Sequence, residues 1–315
     1  MGTFKTVPPL VSIIVVAYNS SKTVIETLES IKEQTYPNIE LIVSDDCSTD
    51  ETCSIVQEWI DDNKEHFLYR ELVTTSKNTG VSGNINRGVA VTHGEWIKSI
   101  AADDLLTPTA IEEFVNFVTA HPEKVRMCVC DVEPFAVDGE VSEYIICLYH
   151  RFFEEASEDF EKQRRRVMTS NVFIGPGYFY SKELFDEIGG FSDKYGNAEE
   201  WPFVYKVIMS GNRIYTIDKK LVRYRVSSSS LCHGDGSGFK SVFIGMYHHF
   251  FDHIFGDLIR DGRLLTAWHY ALSYWGRNMA YSVKNSTNKK IIRKTLLLFS
   301  PLTYLHKLGV IKEVI

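Results

Sequence analysis

Residues 11–17 read VSIIVVA, seven positions of which only Ser12 is polar. A short, β-branched, almost wholly apolar run is the signature of a parallel strand buried on both faces. Such a strand needs helices above and below it, so it commits the chain to a layered α/β fold. The following residues keep that commitment. Residues 23–34 place Val24, Leu28 and Ile31 on one helical face, and residues 39–43 (IELIV) form a second strand. Thr49 or Asp50 caps a second helix carrying Ile55, Trp59 and Ile60, and a third strand lies near residues 67–73. Residues 80–91 read as loop plus helix, 96–101 as a strand, and 108–120 as a helix opened by Pro108. This alternation predicts a doubly wound, mainly parallel sheet.

After residue 131 the alternation stops. Residues 132–170 are mixed, with a charged surface stretch from 154 to 166. Short helices are expected at 181–188, ended by Gly189 and Gly190, and at 198–210, ended by Gly211; the pattern from 239 onward is helical. The expected organisation is an α/β unit over 1–235 and a helical extension over 236–315. The six cysteines show no metal or disulfide spacing, and Cys128 and Cys130 alternate on a strand as small buried hydrophobes. The chain shows no signal-peptide pattern and no run of 18 apolar residues, which sets the expectation of a cytoplasmic protein.

Open α/β sheets bind ligands beyond the carboxyl ends of their strands. Two acidic pairs fall there, Asp45 with Asp46 and Asp103 with Asp104, and a third pair, Glu199 with Glu200, opens a helix. Adjacent carboxylates raise each other's pKa unless a cation or a donor intervenes. A divalent cation bridging to substrate phosphates is one solution. Helix capping and a solvated turn is the other, and the pairs alone do not separate the two.

The order of the surrounding segments does. PLVSIIVVAYN at 9–19, SIKEQTYP at 30–37, VSDDCSTD at 43–50, NTG at 78–80 with NRG at 86–88, and GEWI at 94–97 precede the Asp103–Asp104 turn. GGF at 189–191, the Glu199–Glu200 pair and Tyr224 with Arg225 follow it. Together they resemble glycosyltransferase family 2, the inverting family with the GT-A fold, over roughly residues 9–230. The resemblance implies a nucleotide-sugar donor, with a UDP sugar expected. Ala17, Tyr18 and Asn19 would line base and ribose, Asp46 would accept from the uracil N3–H, and Asp103 would meet the ribose and the metal. Asp104 would be the leading ligand of Mn2+ or Mg2+, and Glu200 the general base that deprotonates the acceptor hydroxyl.

Two departures stand out. Many members carry Asp-x-Asp-Asp, where this chain has Ala101 in the first position. Many place a His soon after Tyr-Arg, where this chain has a serine run at 227–230, with His233 as the substitute ligand. The resemblance also implies a glycan or lipid-linked acceptor. The alternatives are a non-catalytic nucleotide-sugar-binding scaffold and a sugar nucleotidyltransferase. The second would need a Gly-rich basic loop, which residues 17–23 lack.

Charge is uneven. The chain carries a net −7, while residues 284–315 hold seven Lys or Arg against the single acid Glu313. The acidic body argues against nucleic-acid binding. The basic, amphipathic tail suits either peripheral contact with an anionic membrane through 284–315 or a soluble helix with a solvated face. The apolar face made by Phe250, Phe251, Ile254, Phe255, Leu258 and Ile259 is expected to pack on the catalytic domain or on a second subunit of an oligomer.

Overall fold

The computed structural model describes residues 8–122, 124–136, 141, 159–170, 175–226, 237–281, 283 and 286–308. The first half alternates strand and helix as the pattern predicts. It runs β1 (Val11–Ala17), α1 (Val24–Lys32), β2 (Ile39–Asp45), α2 (Thr52–Asp62), β3 (Tyr69–Thr74), α3 (Gly80–Ala90), β4 (Trp96–Ala101), β5 (Leu105–Leu106) and α4 (Ala110–Ala120). Beyond it lie β6 (Met127–Ala136), α5 (Phe160–Val167), β7 (Tyr178–Ser181), α6 (Lys182–Ile188), α7 (Glu200–Met209) and β8 (Tyr215–Val226).

Among the described residues eight strands form one sheet, ordered β3-β2-β1-β4-β7-β6-β8-β5. β1 pairs in parallel with β2 and β4, and β2 with β3. β7 runs antiparallel between β4 and β6, while β6 and β8 pair in parallel across an irregularity at Cys130 and Asp131. The sheet is therefore mixed, with its parallel core at β3-β2-β1-β4. Alternate residues of the central strands point to opposite faces. Ile13, Val15, Leu41, Val43, Cys128 and Cys130 pack under α1, α2 and α4. Ile14, Ile42, Ile97, Met127 and Val129 pack on the other face with Ile85, Trp201 and Phe203.

Three strands were not expected. β8 was missed because it carries Asp218, Lys219, Lys220 and Arg223, and much of it faces water. Its pattern is not that of an apolar run. β7 is four residues long and β5 two, too short for periodicity to register. The local stops are those expected. Ser181 caps α6 through Leu184 N–H, and Gly189 takes the left-handed conformation (φ 70°) that lets Gly190 N–H reach Phe185 O.

The C-terminal part is helical: α8 (Ser237–His249), a π-helical turn (Phe250–Ile254), α9 (Phe255–Arg260), α10 (Leu264–Tyr281), α11 (Ser286–Leu297) and α12 (Pro301–Lys307). Phe250, Ile254 and Leu258 are fully buried and share one core cluster with Ile14, Tyr178 and Trp201. Phe251 and Phe255 pack partly buried against that cluster, while Ile259 is exposed, so most but not all of the apolar face read from the sequence packs on the α/β unit of its own chain.

Candidate active site

β1, β2 and β4 end side by side. Ala17 lies opposite Asp45, and Val16 opposite Ala101. The chain then leaves each strand in a tight turn. Asp46 N–H donates to Ala17 O, and Ala102 N–H to Val16 O. Asn19 (φ 51°) and Cys47 (φ 68°) take the left-handed conformation that turns the chain outward from β1 and β2; Asn pays less for it than most side chains. Asn19 Oδ1 receives Thr49 N–H at 2.8 Å and so ties the two turns together. Ala17 is buried, while the Tyr18 ring is 49% exposed above this edge.

Asp45 and Asp46 are both buried. Asp45 accepts from Ser48 N–H and from the Ser48 hydroxyl. Asp46 takes four donors: Thr79 N–H (2.9 Å), Thr79 Oγ1 (2.7 Å), Gly80 N–H (2.7 Å) and Arg87 Nη2 (3.1 Å). Burial pushes the Asp46 carboxyl up, but those four donors together outweigh it and hold its pKa below the ordinary range. Such a carboxylate has its acceptor positions filled. Its visible work is to pin the start of α3 to the end of β2, and the expected bond to a ring N–H would have to displace one of these donors.

The second acidic pair divides in a similar way. Asp104 is buried; its Oδ1 accepts from Arg225 N–H at 2.8 Å, and its Oδ2 is buried without a partner. Burial, then the charge of Asp103, push its pKa well above the usual carboxylate range. Asp103 is half-buried, and burial raises its pKa against the opposing pull of Arg225. The buried Arg225 braces this turn from β8, donating through Nε to Asp103 O (2.6 Å) and through Nη2 to Glu26 (2.6 Å). Asp103 is the more open carboxylate of the pair, and Asp104 is folded back into the protein. Two neighbouring carboxylates with raised pKa values suit a divalent cation, which would relieve their repulsion. Among the described residues no three His, Cys, Asp or Glu side chains converge on a metal position. His233 lies outside the described residues.

Glu200 stands in the first turn of α7. Its Oε1 accepts Gly175 N–H at 2.8 Å. Gly175 opens a 3-10 turn, Gly175–Gly177, whose Pro176 O accepts from Lys98 Nζ at 2.6 Å. Lys98 belongs to β4, three residues before Ala101, and its charge acts on Asp104. One chain of contacts thus joins the acid of α7 to the acidic turn after β4. Glu199 differs from Glu200: its Oε2 is buried without a partner, and burial together with the Glu200 charge lifts its pKa to about 8.

The model of the family described as Glycosyl transferase family 2 matches residues 12–189, more than half of the chain. The chain belongs to glycosyl transferase family 2. The poly(ribitol-phosphate) beta-N-acetylglucosaminyltransferase TarS of Staphylococcus aureus is 26% identical over 216 residues, 68% of this chain and 35% of TarS. The chain therefore spans about a third of the length of that curated relative. The structure of S. aureus TarS 1–349 in complex with UDP-GlcNAc covers 95% of this chain, and the chain covers 92% of it, at TM-score 0.58 and 18% identity. The mannosyltransferase PcManGT of Pyrobaculum calidifontis, in complex with GDP-Man and Mn2+, covers 81% of the chain, which covers 65% of it, at TM-score 0.57 and 23% identity. These likenesses carry the fold, which is of the GT-A type.

Within this family 2 chain, sequence reasoning passed over Lys98, Gly175 and the role of Arg225. A lysine inside the apolar strand WIKSIA was the signal for the first, because a lysine is almost never fully buried without a reason. Gly175 gave no signal of its own, since it contributes only a backbone N–H.

Proposed function

We propose that this chain transfers a hexose or N-acetylhexosamine from a nucleotide sugar, with UDP as the nucleotide, to a hydroxyl of a surface glycan or lipid-linked acceptor, with inversion. The single observation that carries the reading is the placement of the donor-edge turns (Ala17–Asn19, Asp46, Asp103) and of Glu200, which the Gly175–Pro176–Lys98 contacts connect to β4. The UDP-GlcNAc held by the TarS 1–349 structure supports the donor class.

In this reading Tyr18 offers an exposed face to the base, and Asn19 fixes the turn beneath it. Asp103 is the carboxylate that holds Mn2+ or Mg2+, with Asp104 behind it as buried support. When bound, the cation supplies charge neutralisation at the diphosphate leaving group. Glu200 takes the acceptor hydroxyl proton as general base while the oxygen attacks the anomeric carbon opposite the diphosphate. The Gly175 N–H holds one carboxylate oxygen and so fixes the direction of the other. A single base is enough for inversion.

The test is a screen of UDP and GDP sugars by thermal shift with and without manganese, followed by transfer assays with wild type and Glu200→Gln. A bound donor raises the melting temperature by mass action. Turnover that falls roughly 10²–10⁴-fold in Glu200→Gln with donor binding retained is the expected result. Donor binding without turnover by the wild type on any glycan or lipid-linked acceptor would instead indicate a binding protein.

A further inference from the structure

We propose that helices α10 and α11 form a docking surface for an anionic bilayer, in which exposed tryptophans of α10 enter the headgroup region and lysines of α11 meet the lipid charge. The tail segment 284–315 is only part of that surface. In α11, Ile292 and Leu296 are half-buried, and Gly276 of α10 packs directly against Arg293 and Leu296. Ile291 of α11 is exposed, but the longer exposed apolar stripe lies one helix earlier.

Leu264, Trp268, Trp275 and Met279 of α10 are 59%, 45%, 42% and 55% exposed. Their spacing brings all four within about 60° of one another around the helix. Both indoles are held on one side and open on the other. Trp275 stacks on Phe251 at 5.9 Å, and Trp268 Nε1 donates to Phe299 O at 3.0 Å. Phe299 itself is 66% exposed, which extends the apolar surface across the end of α11. Tryptophan is the residue favoured where hydrocarbon meets headgroups, because one part of the ring is apolar and the N–H is polar. No helix among the described residues is long and apolar enough to cross a membrane, so the surface would lie on a bilayer.

Charge selects the occupant. Between Asp261 and Glu313 the sequence holds nine Lys or Arg and no acid at all, within a chain of net charge −7. Lys290, Arg293 and Lys294 of α11 are exposed beside the stripe. Two copies meeting through this face would set these charges against their own kind. An anionic bilayer matches them, and each basic group near such a surface adds to the attraction.

The inference needs no transfer step, and its test reads binding alone, so it stands or falls apart from the reading of the site. The full chain is mixed with vesicles of phosphatidylcholine alone or with phosphatidylglycerol added, and flotation is followed together with tryptophan emission. Trp59 and Trp201 are buried and Trp96 half-buried, so a blue shift on the vesicles reports Trp268 and Trp275. Expected are flotation and a blue shift with the anionic vesicles, a loss of roughly tenfold or more in partition for Lys290→Glu/Lys294→Glu, and weakening at high salt. Trp268→Ser should reduce flotation in a variant that circular dichroism shows to be folded. Equal partition into neutral vesicles, or no change in the charge-reversed variant, overturns the proposal. So does a concentration-dependent dimer, lost in Trp268→Ser, in a protein that ignores both vesicles; that result would assign the face to a second copy.

Discussion

Lys98 Nζ donates to the carbonyl oxygen of Pro176 at 2.6 Å from a fully buried position in β4. Lys98 Nζ also donates to its neighbour's carbonyl, Ser99 O, at 2.7 Å. Burial lowers its pKa to about 8. A lysine held by two carbonyls in a sheet core is costly, and here it anchors the turn that orients Glu200. Lys98→Met keeps the stem and removes the charge. We expect kcat to fall by about 10- to 100-fold with little change in donor affinity, because misplacing a reacting group by an ångström costs that order. Steady-state kinetics with calorimetric donor affinity checks this; an equal loss in donor binding would move Lys98 from positioning the base to supporting the donor edge.

Glu199 gives a prediction in pH. Its pKa lies near 8 in the folded protein against an ordinary 4.5, because of burial and then Glu200. Between those values the unfolded chain has released the proton that the folded chain keeps. Stability from this group therefore falls as pH rises from about 5 to about 8, by up to ~1.4 kcal/mol per unit, and is level above. Glu199→Gln should flatten that slope and make the variant the more stable protein at pH 8. Urea unfolding of both proteins at pH 5, 6.5 and 8 is the measurement. Parallel stability curves would show that Glu199 does not titrate in this range.

Much of this was legible in the sequence. β4 lies at residues 96–101 as read, and apart from the unexpected β5 the other elements of the first half fall within a few positions of theirs. The buried face of α1 is also as expected, and so is that of the Phe250 helix apart from the exposed Ile259. These are features that periodicity records. Cys128 and Cys130 are buried on one face, as their spacing implied. What periodicity does not record is which member of an acidic pair faces inward. Asp45 and Asp46, like Asp103 and Asp104, differ by one residue in sequence, and their roles follow from donors over thirty to a hundred residues away: Thr79 and Arg87 for Asp46, Arg225 for Asp104. The Gly175–Glu200 bond is hidden for the same reason, since one partner is a backbone N–H.

Asp103 and Asp104 can be told apart by substitution. Asp103→Asn removes the more open carboxylate and should weaken manganese-dependent donor binding by about tenfold or more, since even second-layer partners of a metal commonly contribute 10–100-fold. Asp104→Asn keeps the oxygen that accepts from Arg225 N–H and resembles the protonated acid favoured by its burial. It should leave the manganese dependence largely in place. Calorimetric titration of UDP with and without manganese distinguishes the two. A manganese dependence lost in Asp104→Asn and kept in Asp103→Asn would make Asp104 the ligand.

Gly175 is the sharpest test of how the base is held. A Cβ at this position would press on Glu200 Oε1, the same oxygen that its N–H binds at 2.8 Å. Gly175→Ala should therefore turn the carboxylate away without removing it, lowering kcat by roughly 10²-fold while the donor still binds. The change adds one methyl group at a half-buried turn, so the fold should persist and the melting temperature report any strain. The decisive comparison is the double variant. If Gly175 acts only through Glu200, then Gly175→Ala should cost little further rate in a Glu200→Gln background, and the two losses should be far from additive. Additive losses in kcat would mean that the glycine serves some other part of the site, and that the N–H to Oε1 bond is not what orients the base.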